Sequence, residues 1–172
     1  MLKMKILELM KIRTATFEDL DAIAEVELKC FPVEEAADIK KFEERIKFYG
    51  NHFWLMFDDE NLIAFVDGFV TDFPDLTDEM YEKADMHNEN GDWQMIFGVN
   101  TIPEYRKKGY AGQLINRAIE DARKQGRKGL VLTCKEHLLH YYSKFGFENE
   151  GKSNSNHGGA TWYQMRLKFA KI

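Results

Sequence analysis

Cysteine is scarce in this 172-residue chain. Cys30 and Cys134 are too few for a disulfide framework, and both read as free thiols of a reducing cytoplasm. No apolar run approaches the ~20 residues that span a bilayer, so no membrane segment is expected. An excess of positive charge is lacking too. The net charge of −5 argues against a general nucleic-acid binder, whose footprint is a basic surface. Neither a Gly-x-Gly-x-x-Gly fingerprint nor a Walker-type loop is present. His137 and His140 share a helical spacing, but no third ligand stands in register and there is no His-Glu-x-x-His pattern, so no metal is expected.

What is there suits one compact domain. Hydrophobic residues make up 44% of the chain, enough to bury a core around a sheet. The domain is placed at residues 10–172. Residues 1–9 read as an N-terminal extension, because Met1 to Met10 lacks the continuous apolar core and small-residue cleavage site of a signal peptide.

Strands are expected over Lys11–Thr16, Phe53–Phe57, Leu62–Val70, Trp93–Asn100, Gly129–Thr133, after Phe147, and over Ala160–Phe169. Thr16 before Phe17-Glu18-Asp19 is an N-cap signal, opening a helix that carries Leu20, Ile23, Ala24, Glu27 and Leu28. Phe31-Pro32 ends it. A second helix is expected from Glu34 to Tyr49, a third over Leu76–His87, and another over His137–Phe145 with Gly146 as its left-handed cap.

The most informative segment is Arg106-Lys107-Lys108-Gly109-Tyr110-Ala111. Downstream of it Ala111, Leu114, Ile115, Ala118, Ile119 and Ala122 fall at helical spacing. A strand thus leads into the segment and a helix leaves it. The helix start offers unpartnered N–H groups and the positive end of a dipole, which together can hold a pyrophosphate. Gly109 lets backbone approach a ligand without a Cβ in the way.

Arg-x-x-Gly-x-Ala between a strand and a helix resembles the acetyl-coenzyme A signature of the GNAT family of N-acetyltransferases. Val99 through Arg106 is similar to that family's approach to the signature, with a strand, a proline and an aromatic before the arginine. Tyr141-Tyr142-Ser143-Lys144-Phe145-Gly146-Phe147 resembles its second landmark, an aromatic helix ending in Gly-Phe. Cys30 through Ala37, and Ser153 through Trp162 with His157-Gly158-Gly159, resemble non-vertebrate arylalkylamine N-acetyltransferases.

The resemblance implies an α/β (α+β) fold with a mixed, mostly antiparallel central sheet flanked by helices, its parallel strands splayed to bind acetyl-coenzyme A. That co-substrate would lie against Val99, Asn100, Thr101, Arg106, Lys107, Lys108, Gly109, Tyr110, Ala111, Gly112 and Tyr142. The implied reaction moves an acetyl group by direct attack to a primary amine, an arylalkylamine or another small amine. Alternatives are a polyamine, amino-acid or protein-amine acceptor, or a sensor that binds acyl-coenzyme A without turnover. The protein would be cytoplasmic, a monomer or homodimer, with no nucleic acid or membrane as partner.

An alkylammonium has a pKa near that of lysine, about 10.4, so the amine needs a proton acceptor before it can attack. The resemblance points to Glu35, with Glu34 as its neighbour and competitor. His157 is a second candidate. Vertebrate relatives place two histidines on the strand before the signature, where this chain has Met95 and Phe97, so the base is left open. Tyr142 matches the family's tyrosine, which gives a proton to the departing thiolate, and backbone N–H groups around Phe97 to Val99 would meet the oxyanion. Residues 71–92 hold eight carboxylates against Lys83. They read as an acidic surface helix and as a segment whose field favours a cationic acceptor.

Overall fold

The computed structural model describes residues 10–170, so the expected extension at residues 1–9 lies outside the described residues. Contacts divide the chain into two compact units. One runs to Asp67 and takes in Gly98–Ala118; the other holds Gly68–Phe97 and the residues from Ile119 onward.

In the first unit β1 (Met10–Thr14), β2 (Phe53–Asp58), β3 (Asn61–Asp67) and β6 (Gly98–Thr101) form an antiparallel sheet in the order β1-β2-β3-β6. A tight hairpin joins β2 to β3, with Asp58 opposite Asn61 and Asp59 at φ 55°. Helix α1 (Leu20–Cys30) follows a 3-10 turn, Phe17–Asp19, that opens with the expected cap. There the Thr16 N–H donates to Asp19 in a capping box, and Asp19 also takes both ends of the Arg13 guanidinium. Those bonds outweigh its partial burial and hold its carboxyl below the usual range. Ile23 and Val26 of α1 and Phe42 of α2 (Ile39–Tyr49) are buried. Phe42 meets Phe53 and Phe65 edge-on, at 6.1 and 5.9 Å between ring centres.

The second helix starts later than its sequence pattern predicts. Asp38 accepts the Lys41 N–H at 2.9 Å and caps the helix at Ile39. Residues 32–36 instead form a turn in which Pro32 O accepts the N–H groups of Glu35 and Ala36.

In the second unit β4 (Val70–Thr71), β5 (Trp93–Ile96), β7 (Gly129–Cys134), β8 (Glu148–Lys152) and β9 (Tyr163–Lys168) lie in the order β4-β5-β7-β9-β8. Only β5 and β7 are parallel there. The expected mixed, mostly antiparallel architecture is thus present. Two expected strands are each divided between the sheets. Leu62–Val70 breaks at Gly68, where a Cβ would sit 1.7 Å from the Met95 carbonyl oxygen. Trp93–Asn100 breaks at Phe97, whose ring packs on Phe69 at 4.9 Å and Tyr81 at 4.8 Å.

The expected helix over Leu76–His87 reduces to α3 (Asp78–Glu82) and a 3-10 turn, Ala84–Met86. Helix α4 (Tyr110–Lys124) begins in the first unit and ends in the second, with Leu114, Ile115, Ala118, Ile119 and Ala122 buried as the spacing predicts. The aromatic helix is shorter than its pattern: a 3-10 turn, Glu136–Leu138, then α5 (Leu139–Ser143), with Gly146 at φ 104° beyond it. No described helix is long and apolar enough to cross a membrane.

Candidate functional site

The site's first element is the turn that starts α4. After β6 a 3-10 turn at Pro103–Tyr105 leads to Arg106, whose Nε donates to the Thr101 carbonyl at 2.8 Å and pins the turn to the strand end. Lys107 then takes φ 63° and Gly109 φ 84°. Two left-handed residues so close together fold the backbone back on itself, and at Lys107 the Cβ adds strain of the kind found at ligand clamps.

Arg106, Lys107, Lys108 and Gly109 are all exposed. The first backbone bond into α4 runs from Gln113 N–H to Gly109 O, so the N–H groups of Tyr110, Ala111 and Gly112 precede the helical ladder. A Cβ built on Gly109 meets no protein atom within 4 Å. The glycine therefore answers to the backbone angle, not to packing. Arg106 through Gly112, the residues of the predicted cradle, thus share one turn and helix start.

Val99, Asn100 and Thr101 lie on β6, which ends its sheet. Alternate backbone groups there have no strand partner among the described residues, and of these residues Thr101 has its carbonyl engaged by the Arg106 and Cys30 side chains. The Asn100 side chain is engaged elsewhere. Its Nδ2 donates to Glu27 Oε1 at 2.6 Å, while Glu27 Oε2 accepts the Ala37 N–H at 2.9 Å. Glu27, 9% exposed, thereby ties the 31–38 loop, which carries Glu35, to the strand that leads into the cradle. Glu34 and Glu35 are both exposed on that loop.

Sequence reasoning had Glu27 only as a position on the helix face. The available signal was a carboxylate in phase with Ile23 and Val26. Beside it, Asp67 is fully buried and pairs with Arg45 at 3.3 Å; burial pushes its carboxyl up to about 6. Cys30 donates its S–H to Thr101 O, and burial raises its thiol pKa.

In the second unit Tyr142 is 7% exposed on α5, packed edge-on against Tyr141 and Phe147. Burial first, then the nearby Tyr141, Cys134 and Tyr81 groups, drives its phenol well above the ordinary tyrosine range. Among the described residues its hydroxyl has no hydrogen-bond partner. It is thus a protonated donor whose proton is not already committed. Cys134 is buried and its thiol is pushed up to about 11 by burial, which suits an inert core residue.

His157 is exposed and lies parallel to Tyr81 at 6.4 Å between ring centres, with Trp162 at 6.3 Å on its flank. The Trp162 Nε1 donates to His157 O, and Ser155 Oγ donates to Asp78. The acidic 71–92 segment and the 153–162 loop are therefore joined through Tyr81 and the Ser155–Asp78 bond, and no local pattern singles Tyr81 out.

Much of the segment's negative charge is matched within the unit. Asp75 pairs with Arg166, Glu79 with Lys83, Glu89 with His87 and Arg127, and Asp92 with Lys128. Its field is weaker than the carboxylate count implies.

A model of the acetyltransferase (GNAT) family matches residues 20–147. Among curated proteins no sequence matches the chain. Solved structures do. The loading GNATL domain of CurA from Lyngbya majuscula is 14% identical, with 92% of this chain and 97% of that one covered and a TM-score of 0.79. A ribosomal-protein-alanine N-acetyltransferase from Escherichia coli is 16% identical over 95% and 96%, with a TM-score of 0.70. Arabidopsis thaliana Naa50, in complex with a bisubstrate analogue of coenzyme A and an acetylated peptide, is 16% identical over 94% and 99%, with a TM-score of 0.72. At these identities the likeness is one of fold.

Proposed function

Because the chain belongs to the acetyltransferase (GNAT) family and is an N-acetyltransferase, we propose that it moves acetyl from acetyl-coenzyme A to the primary amine of a small acceptor, an arylalkylamine or a relative of one. Residues 10–172 then act as one catalytic domain.

The observation that carries this reading is the turn at Arg106–Gly109, which opens a 15-residue helix and leaves unfilled space beside Gly109. Its N–H groups and the helix dipole hold the pyrophosphate, with Lys107 and Lys108 as charge at the rim. The free edge of β6 at Val99, Asn100 and Thr101 takes the amide-bearing arm of the coenzyme.

Glu35 accepts the proton of the incoming ammonium, directly or through water. The neutral nitrogen attacks the thioester carbonyl, and N–C bond formation gives a tetrahedral oxyanion held by backbone N–H groups around Phe97 to Val99. Collapse breaks the C–S bond and expels the thiolate, which takes a proton from Tyr142, while the second proton that the attacking nitrogen sheds passes through water and restores the phenol. His157 is the second candidate for the base; its place against Tyr81 and Trp162 suits a wall for the acceptor's ring.

The test is coenzyme A release across a panel of aryl, polyamine and amino-acid amines. Release with an arylalkylamine and not with a polyamine supports the reading.

A further inference from the structure

The pairings of β8 and β9 bring together residues that the mechanism above does not use. Tyr163 stands opposite Cys134 on β7 and opposite Lys152 on β8. Lys135 follows Cys134 directly, so Lys135 and Lys152 approach Tyr163 from its two neighbouring strands. Between them lies a solvent-open surface hollow of about 540 Å³ lined by Lys135, Glu136, His137, Lys152, Thr161 and Tyr163, all but the half-buried Tyr163 exposed. Sites for small molecules typically occupy about 300–1,000 Å³.

The lining is unbalanced in its chemistry. Two ammonium groups, an imidazole and two hydroxyls face one carboxylate. Neither Lys135 nor Lys152 has a carboxylate partner among the described residues. Lys135 is held by a different contact, its Nζ lying 5.7 Å from the centre of the Trp162 ring, which is itself fixed by its bond to His157 O. In a chain of net charge −5, a hollow with surplus cations runs against the overall charge. Such a hollow attracts an anion, and hydroxyl and ammonium donors together match a carboxylate.

We propose that this cavity seats a carboxylate carried by the acceptor, so that the amine acetylated here belongs to an amino acid or a compound like one. The proposal rests on the amine-acetyltransfer reading and narrows its acceptor. Lys135 and Lys152 bind the carboxylate, with Thr161 and Tyr163 completing its hydrogen bonds; Glu136 disfavours a second negative group.

The experiment has a binding arm that needs no turnover. N-acetylphenylalanine and N-acetylphenylalaninamide, alike in size but not in charge, are titrated by calorimetry into the coenzyme A-loaded protein. The carboxylate should bind at least about tenfold more tightly, the scale of one charge-assisted contact. In Lys135→Met/Lys152→Met, checked for folding by circular dichroism, that preference should fall towards one. A kinetic arm compares KM for phenylalanine and phenylalaninamide in the same two proteins.

Equal binding of the two ligands to the wild type would overturn the proposal, as would a preference that survives the double substitution. A third arm replaces acetyl-coenzyme A by its 3′-dephospho form. If the double substitution weakens binding of the intact coenzyme but not of the dephospho form, the cavity serves the coenzyme's phosphate, and the proposal fails. Failure of every amine to turn over, with the carboxylate preference intact, would instead count against the transferase reading alone.

Discussion

Glu27 and Asn100 meet at 2.6 Å inside the first unit, and the second carboxylate oxygen of Glu27 holds the N–H of Ala37. A buried carboxylate thus fixes both the strand before the cradle and the loop that bears Glu35. Glu27→Ala leaves the Asn100 amide and the Ala37 N–H without partners, which costs about 1–3 kcal/mol each when such groups stay dry. Denaturant unfolding should show a loss of about 2–6 kcal/mol when both groups stay dry, and kcat/KM should fall with it. Asn100→Ala made in the Glu27→Ala background should add little, because the two residues act as a unit.

Gly109 separates conformation from ligand contact. A Cβ there touches nothing in the protein, but φ 84° is unfavourable for any L side chain, by roughly 1–2 kcal/mol. Gly109→Ala and Gly109→Val should therefore lose similar stability. Only the valine variant should weaken acetyl-coenzyme A further, by about tenfold or more, since its branches reach into the pyrophosphate path. Equal affinities for the two variants in calorimetry would remove the close-approach argument.

Tyr142→Phe should lower kcat by about 10²-fold while leaving coenzyme binding nearly intact, the pattern of a lost general acid. Burial keeps the phenol protonated beyond its ordinary range. No alkaline loss of activity should thus arise from this group near pH 10, where an exposed tyrosine titrates.

Asp67 gives a stability signature. Its pKa is raised from 3.8 to about 6 by burial, so on acidification the folded state takes up a proton before the unfolded chain does. The group's contribution is fully present below pH 3.8 and is lost as pH rises through about 6. Asp67→Asn should flatten that slope in unfolding experiments between pH 4 and 7. Asp19, with its lowered pKa, works in the opposite direction and loses its stabilising effect as pH falls through its folded value.

Glu35→Gln should lose more activity at pH 7 than at pH 9.5, where more of the amine is already neutral and a base matters less. Equal activity to the wild type at both values would move the search to Glu34 and His157.

Much of this was legible in the sequence because the cradle is local. Arg106 to Gly112 combine a helix start, a glycine at a left-handed position and a basic rim, all within seven consecutive residues. Features made by distant residues were hidden. Trp93–Asn100 reads as one strand because Phe97 has strand character, and only its packing on Phe69 and Tyr81 marks the break. Leu62–Val70 is equally continuous to the eye, yet the approach of the Met95 carbonyl to Gly68 ends the strand. Glu34–Tyr49 has helical spacing throughout, and the cap at Asp38 decides where it starts. The acidic 71–92 segment suggested a strong field, but its partners Arg127 and Arg166 lie far along the chain.

The most direct test of the central claim is amine-dependent release of coenzyme A thiol, measured with the acetylated amine identified by mass spectrometry. With a suitable acceptor, thiol and N-acetyl product should appear in equal amounts, and both should fall sharply in Gly109→Val and Tyr142→Phe. Binding of acetyl-coenzyme A with no amine-dependent thiol release across aryl, polyamine and amino-acid acceptors would contradict the account and leave a protein that senses the coenzyme without using it.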